Sequence, residues 1–193
     1  NGTWTFTDYI DDDGFGMGPI PIVTTLTKEG DNLHADFTGT GPQAKGAINP
    51  VKATSEAMVY AALKTALTAL GAEIPNTSGY FRPVSMKMPA GTFINANPPA
   101  PVAARSMGCI RLFQSIMGAF AQMLPQAIPA CSGGCEYGSG ISGYDKSKTP
   151  WKPWIQMDFA NETAIGAFAY KDGTDAQGCY NTNLANIPVE EIE

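Results

Sequence analysis

Charge is what this 193-residue chain has least of: Asp, Glu, Lys and Arg make up only 16% of it, against roughly 25% in an average soluble domain. The formal net charge is −6, and lysines and arginines form no run. Neutralising phosphates takes clustered cations, so the sequence argues against a nucleic-acid-binding protein. No apolar run approaches the ~20 residues needed to span a bilayer. No basic segment leads into an apolar one, the pattern of a secretory signal. There is a single histidine, His34, which weakens any serine or cysteine triad, because such a nucleophile needs a base to activate it. The chain also opens without an initiator Met at Asn1-Gly2-Thr3-Trp4, which predicts a piece excised from a longer polypeptide.

What is present is an ordinary apolar content of 44%, with 21 Gly and 15 Pro. The length suffices for a real hydrophobic core. Low surface charge with many Gly/Pro loops suggests a piece covered in part by other protein. Of the four cysteines, Cys109, Cys131, Cys135 and Cys179, none is expected in a disulfide, since the chain is long and carries no secretion signal. Cys131 and Cys135 form a CxxxC, poor spacing for zinc.

Two local signals invite a ligand and fail on inspection. Asp11-Asp12-Asp13-Gly14 lies in an acidic turn, but with Asp11 third in an EF-hand loop the first and twelfth positions fall on Tyr9 and Ile20. A solvated acidic turn is expected, with a non-EF cation site as the alternative. Gly39 to Gly46 (GTGPQAKG) resembles a phosphate loop, yet Ala44 precedes Lys45 and Gly46 follows it, and Pro42 removes a backbone donor. Gly140-Ile141-Ser142-Gly143 falls one residue short of a GxSxG elbow.

The expected fold class is α+β, antiparallel strands with two long helices packed on them. Thr3 to Ile10 alternates hydroxyl and apolar residues as a half-buried strand does. Ile20–Thr27 and Asn32–Phe37 read as strands joined by a hairpin at Lys28 to Asp31. A first helix follows Asn49-Pro50, capped by Thr54 or Ser55 and stopped by Gly71. Met58, Val59, Ala62, Leu63, Ala66, Leu67 and Leu70 form its apolar face. Val84–Met88 is expected as a strand and Ser106–Leu124 as a second helix whose only charge is Arg111. Cys131–Asp145 is expected to be irregular, with strands at Trp154–Phe159 and Ala164–Tyr170 and a polar exit at Ile187–Glu193. The chain thus divides into a β-rich part (1–50), two helices with intervening strands (51–128), and a loop-rich part with strands (129–193).

Five stretches, in order, resemble the B-subunit family of ATP-dependent hydantoinases, which includes the corresponding part of 5-oxoprolinase and related subunits of acetone and acetophenone carboxylases. They are GTWTFTDYIDDDG (2–14), DFTGTGPQAKGAIN (36–49), PNTSGYFRPVSMKMPAGTFINANPPAPVAAR (75–105), LPQAIPA (124–130) and IPVEEIE (187–193). The resemblance implies a cytoplasmic hetero-oligomeric enzyme. Its ATP-binding A subunit or domain phosphorylates a cyclic amide or a ketone enol, and the B part completes hydrolysis or carboxylation. It implies that ATP sits on the A part. It also implies a divalent metal held by His and Asp residues N-terminal to the part matched here, so no cofactor is expected on this piece, which alone is expected to be inactive. One departure is Ala164-Ile165-Gly166, where many members carry a Gly-Gly pair. The choice among hydantoin, oxoproline, lactam and ketone stays open. Within the matched stretches, Asp36, Thr38, Asn49, Arg82, Asn95 and Arg105 are the candidates for substrate or phosphate contact, with loop-shaping as the bland alternative. Arg82 and Arg105 lead, because guanidinium pairs bidentately with oxyanions. The rival readings are a non-catalytic docking domain and a cation-binding β-rich module.

Overall fold

A computed structural model describes residues 1–131, 137–160, 162–174 and 177–178 of the chain. Alternation in the first forty residues produces the sheet. Strand β1 (Gly2–Ile10) alternates half-buried and exposed positions along its whole length, and β2 (Ile20–Glu29) buries Ile20, Ile22, Thr24 and Leu26. β3 (Asn32–Asp36) buries Leu33 and Ala35. These three pair antiparallel. On the open face Thr3 meets Thr27 at 3.1 Å and Thr5 meets Thr25 at 2.9 Å, cross-strand hydroxyl pairs that suit a solvated surface.

The fourth strand departs from the antiparallel expectation. β4 (Val84–Lys87) runs parallel to β3, giving a sheet in the order β1-β2-β3-β4. A parallel neighbour needs a long crossover, and helix α1 (Lys52–Ala69) lies within it. Its N-cap is Val51, not Thr54 or Ser55. Thr54 instead bonds back to Val51, accepting from its amide at 3.1 Å and donating to its carbonyl at 2.8 Å. Ser55 donates to the Ile94 carbonyl at 2.6 Å. Gly71, at φ 81°, ends the helix as expected, with Ala72 N–H donating to the Leu67 carbonyl. Val59, Ala62 and Ala66 are buried, but Leu70 is exposed, so the apolar face is narrower than its sequence pattern.

Helix α2 (Arg105–Met123) is the central element. It packs against β1, β2 and α1, and residues 112–116 are all buried, which explains why Arg111 is its one interior charge. Two glycines let neighbours approach it closely. A Cβ at Gly118 would lie 2.5 Å from the Phe6 ring, and one at Gly108 would lie 2.7 Å from the Ile48 carbonyl oxygen. Phe37, Phe93, Ile94, Phe113 and Ile116 complete the core.

Beyond α2 two expectations fail. Tyr137–Asp145 is a strand, β5, paired antiparallel with β6 (Lys152–Ala160) in a separate two-stranded sheet. Its glycines mask the strand pattern. Gly143 sits opposite Trp154, whose ring covers the place of the missing side chain. Ser142 therefore lies mid-strand, not on a nucleophile elbow. Conversely, residues 164–170 contain no strand. They fold back on themselves through Ile165 N–H to the Thr174 carbonyl and Phe168 N–H to the Lys171 carbonyl. The short strands β7 (Glu162–Thr163) and β8 (Gln177–Gly178) pair nearby. Cys135, Cys179 and the exit at 187–193 lie outside the described residues.

Candidate functional site

The loop of residues 38–50 is tied to its neighbours through the amides of residues 40–46. Thr40 N–H donates to the Phe37 carbonyl, Gly41 N–H to Pro21 and Gln43 N–H to Gly91. Ala44 N–H donates to Asn49 Oδ1 at 2.7 Å. Lys45 and Gly46 N–H both donate to Asp13 Oδ2, at 2.9 and 3.1 Å. Each amide from Thr40 to Gly46 is thus taken, apart from Pro42, which has none. Residues 40–46 leave no backbone amide free to cradle a phosphate: the anion that Lys45 and Gly46 hold is the chain's own Asp13.

The acidic turn is solvated at Asp11 and Asp12, as expected, but not at Asp13. Asp13 is 6% exposed, and its Oδ1 accepts from Phe15 and Met17 N–H at 2.8 and 3.0 Å. Burial, the largest single influence, pushes the carboxyl up. The amides of Met17, Phe15, Gly46 and Lys45 together outweigh it and hold the pKa below its ordinary value. A Cβ at Gly46 would lie 2.0 Å from the Asp13 carbonyl oxygen, so only glycine permits this junction. Both carboxylate oxygens are spent on the fold, which removes the best ligand from the cation alternative. Among the described residues no three His, Cys, Asp or Glu converge to hold a metal. The described donors thus do not fit the implied divalent ion.

Asn49 is 0% exposed and fully bonded. Its Nδ2 donates to the carbonyls of Ala44, Gly46 and Pro101 at 2.9, 3.1 and 3.0 Å. It thereby ties the 44–46 loop to the proline-rich segment leading into α2, where Ala104 N–H also donates to the Ala47 carbonyl. Asn95 holds the next loop, donating to the Met88 carbonyl at 2.8 Å. Both amides shape loops, Asn49 with its whole hydrogen-bonding capacity.

Arg105 stands at the first position of α2, exposed, with one long bond from Nη1 to the Val102 carbonyl at 3.4 Å. It lines a cleft of about 360 Å³ between the first turns of α1 and α2, together with Thr54, Ser106 and Cys109. A guanidinium beside two helix N-termini favours an anion. Burial pushes the Cys109 thiol up, against the opposing pull of the Thr54 hydroxyl and Arg105, so it stays protonated at neutral pH and is no thiolate nucleophile. Sequence reasoning missed Cys109 and Thr54. The i,i+4 spacing of Arg105 and Cys109 on one helix face was the available signal.

The other candidates lie elsewhere. Asp36 accepts from Thr38 N–H at 2.8 Å and pairs with Lys87 at 3.2 Å. Burial pushes its carboxyl up, but Thr38 and Lys87 outweigh this and lower it. Arg82, exposed after the 3-10 turn Ser78–Phe81, flanks the opposite end of the β3–β4 pair from Asp36 and Lys87. His34 Nδ1 bonds to Ser85 Oγ on the adjacent strand at 2.8 Å. The fold therefore gathers Asn49, the Asn95 loop and Arg105, and leaves Arg82 apart.

The chain is 30% identical over 189 residues to the B-type subunit of a putative D-/L-hydantoinase from Pseudomonas sp. strain NS671, covering 96% of this chain and 31% of that protein. Its fold matches the crystal structure of the ATP-dependent caprolactamase from Pseudomonas jessenii with a TM-score of 0.72 at 25% identity, over 92% of this chain and 30% of that one. It matches a nucleotide-free acetone carboxylase structure with a TM-score of 0.70 at 14% identity, over 92% of this chain and 25% of that one, a likeness of fold alone. The chain thus spans a third or less of the length of the relatives it matches. Residues 1–193 match the family described as Hydantoinase B/oxoprolinase, and the chain belongs to that family.

Proposed function

We propose that this chain is part of an ATP-dependent hydrolase of cyclic amides, of hydantoinase or oxoprolinase type, or of a related ketone carboxylase. In this reading an A-type subunit or domain binds ATP and makes a phosphorylated intermediate, and the part containing this chain completes hydrolysis or carboxylation in a cytoplasmic hetero-oligomer. The carrying observation is the family match along all 193 residues. Phosphorylation turns a poor leaving oxygen into a good one, and the intermediate needs a chamber shielded from bulk water. The loops joined by Asp13 and Asn49 supply a rigid wall whose amides from Thr40 to Gly46 are all spent. Arg105, with its guanidinium largely unspent, is the group suited to orient an anionic intermediate in the adjoining cleft.

In the full-length protein with its ATP-binding partner, Arg105→Ala should lower kcat/KM about 10- to 100-fold, the worth of one charge-assisted contact. Arg105→Lys should recover part of the loss, and assembly should be unchanged. Wild-type kinetics for Arg105→Ala would remove the residue from the site. One observation favours the docking reading as a second role. The β5–β6 hairpin exposes Ile141, Tyr144, Trp151, Trp154 and Ile155, more apolar surface than a free two-stranded ribbon tolerates well. Loss of assembly on changing these residues, with Arg105→Ala kinetically silent, would favour docking over catalysis.

A further inference from the structure

The β5–β6 ribbon collects what the rest of the chain has little of. In a chain of formal net charge −6, Lys146, Lys148 and Lys152 all stand exposed around its tip. The carboxylate among them, Asp145, is spent within the turn, its Oδ1 accepting from the Ser147 N–H at 3.0 Å and from the Ser147 hydroxyl at 2.6 Å. Lys146 Nζ lies 4.9 Å from the centre of the Trp151 ring, and the Tyr144 ring flanks Trp151 at 6.4 Å, so cations and aromatic rings form one patch. Among the described residues none of the three lysines forms an ion pair.

The ribbon is also uncovered on both faces. Register puts Ile141 and Trp154 on one face and Tyr144 and Ile155 on the other, and all four are exposed. Among the described elements β5 and β6 pack chiefly on each other. A lone two-stranded ribbon is marginal in water, and Trp and Tyr are the side chains that most often anchor protein interfaces. An anionic bilayer or a nucleic acid would repel a chain of this net charge and would meet the ribbon on one face only. Both points favour a protein surface that offers carboxylates beside apolar groups.

Such a surface lies on the chain itself. In the turn after β1, Asp11 and Asp12 are exposed and enter no ion pair among the described residues. The rings of Tyr9 and Phe15 stand exposed on either side. The four amides bound to Asp13 hold this turn in place, so little freedom is left to lose on binding. We propose that the β5–β6 tip of one copy docks on the Asp11-Asp12 turn of a second copy. Lys146, Lys148 and Lys152 meet the two carboxylates, and Trp151 packs against Phe15. Each copy gives one tip and receives another, so two equal contacts close a dimer. The contact does not depend on the ATP-coupled reading.

The test is sedimentation velocity on the full-length protein, alone and with its ATP-binding partner. One variant reverses the tip (Lys146→Glu, Lys148→Glu and Lys152→Glu together), and another reverses the turn (Asp11→Lys with Asp12→Lys). The wild type should dimerise with a dissociation constant below about 10 μM. Each variant alone should dimerise at least about tenfold more weakly, because like charges then face each other. An equal mixture of the two should recover the dimer, since every tip again meets a turn of opposite charge. Where a reversed variant fails to fold, the wild-type dimer decides: it should weaken at least about tenfold between about 50 and about 500 mM salt, as screening shortens the reach of the charges. A monomeric wild type at about 100 μM, wild-type affinity in both variants, a loss in folded variants that mixing does not repair, or a dimer indifferent to salt would each overturn the proposal. A dimer that persists while the reversed tip releases the ATP-binding partner would overturn it as well, and would assign the ribbon to that partner.

Discussion

Asp13 and Asn49 do at the scale of single residues what a ligand does elsewhere: they gather backbone groups that no strand or helix satisfies. Because the folded pKa of Asp13 lies below its ordinary value of 3.8, its contribution to stability is complete above about pH 4. It is lost as pH falls through the lower folded value. Asp13→Asn should therefore flatten the acid limb of a stability–pH profile, and an unchanged limb would mean that the four amides find other acceptors. Asn49→Ala should cost about 3 to 5 kcal/mol in denaturant unfolding, because one amide and three carbonyls lose their partner where water is excluded. The sequence shows an acidic turn and a polar residue before Pro50. It does not show that Asp13, and not Asp11 or Asp12, reaches across to residues 45 and 46. That contact joins residues more than thirty positions apart, and local pattern is blind to it.

At the scale of elements, legibility follows how each strand is stabilised. β1 to β3 were readable because one face of each meets a core and the alternation is written in Trp4, Phe6, Ile22 and Leu26. β5 was not, because its glycines borrow apolar cover from Trp154 across the ribbon, a pairing visible only once the strands are in register. The parallel placement of β4 was equally hidden, since direction depends on a crossover and not on the strand's own residues. The junction of α2 with the 48–50 loop gives an element-scale prediction. Gly108→Ala gains up to ~1 kcal/mol of helix propensity. The new Cβ, however, would sit 2.7 Å from a backbone oxygen and 2.8 Å from the Pro50 ring, neither of which moves freely. Overpacking of this kind costs about 1 to 3 kcal/mol, so a lower thermal midpoint is expected. A raised midpoint would show that the junction yields.

For the whole molecule, the strongest signal was neither a catalytic motif nor a charge pattern but five separated stretches in one order, and the family match bears that reading out. The structure explains why stretches 2–14, 36–49 and 75–105 occur together: Asp13 grips 45 and 46, and Asn49 grips Pro101. Together they form one platform that sets the start of α2 and the cleft beside it. No helix among the described residues is long and apolar enough to cross a membrane. Substrate identity was not legible, because the groups that would read a ring or a ketone are not marked by spacing within these stretches. The central claim is that this platform belongs to an ATP-coupled enzyme. Its most direct measurement is ADP release against ring opening or carboxylation, with the full-length protein and its ATP-binding partner, on a panel of hydantoin, oxoproline, lactam and ketone substrates. The account predicts product formed in step with ADP for at least one class and none when the full-length protein is omitted. Product formed at the same rate without ATP, or without the full-length protein, would contradict it.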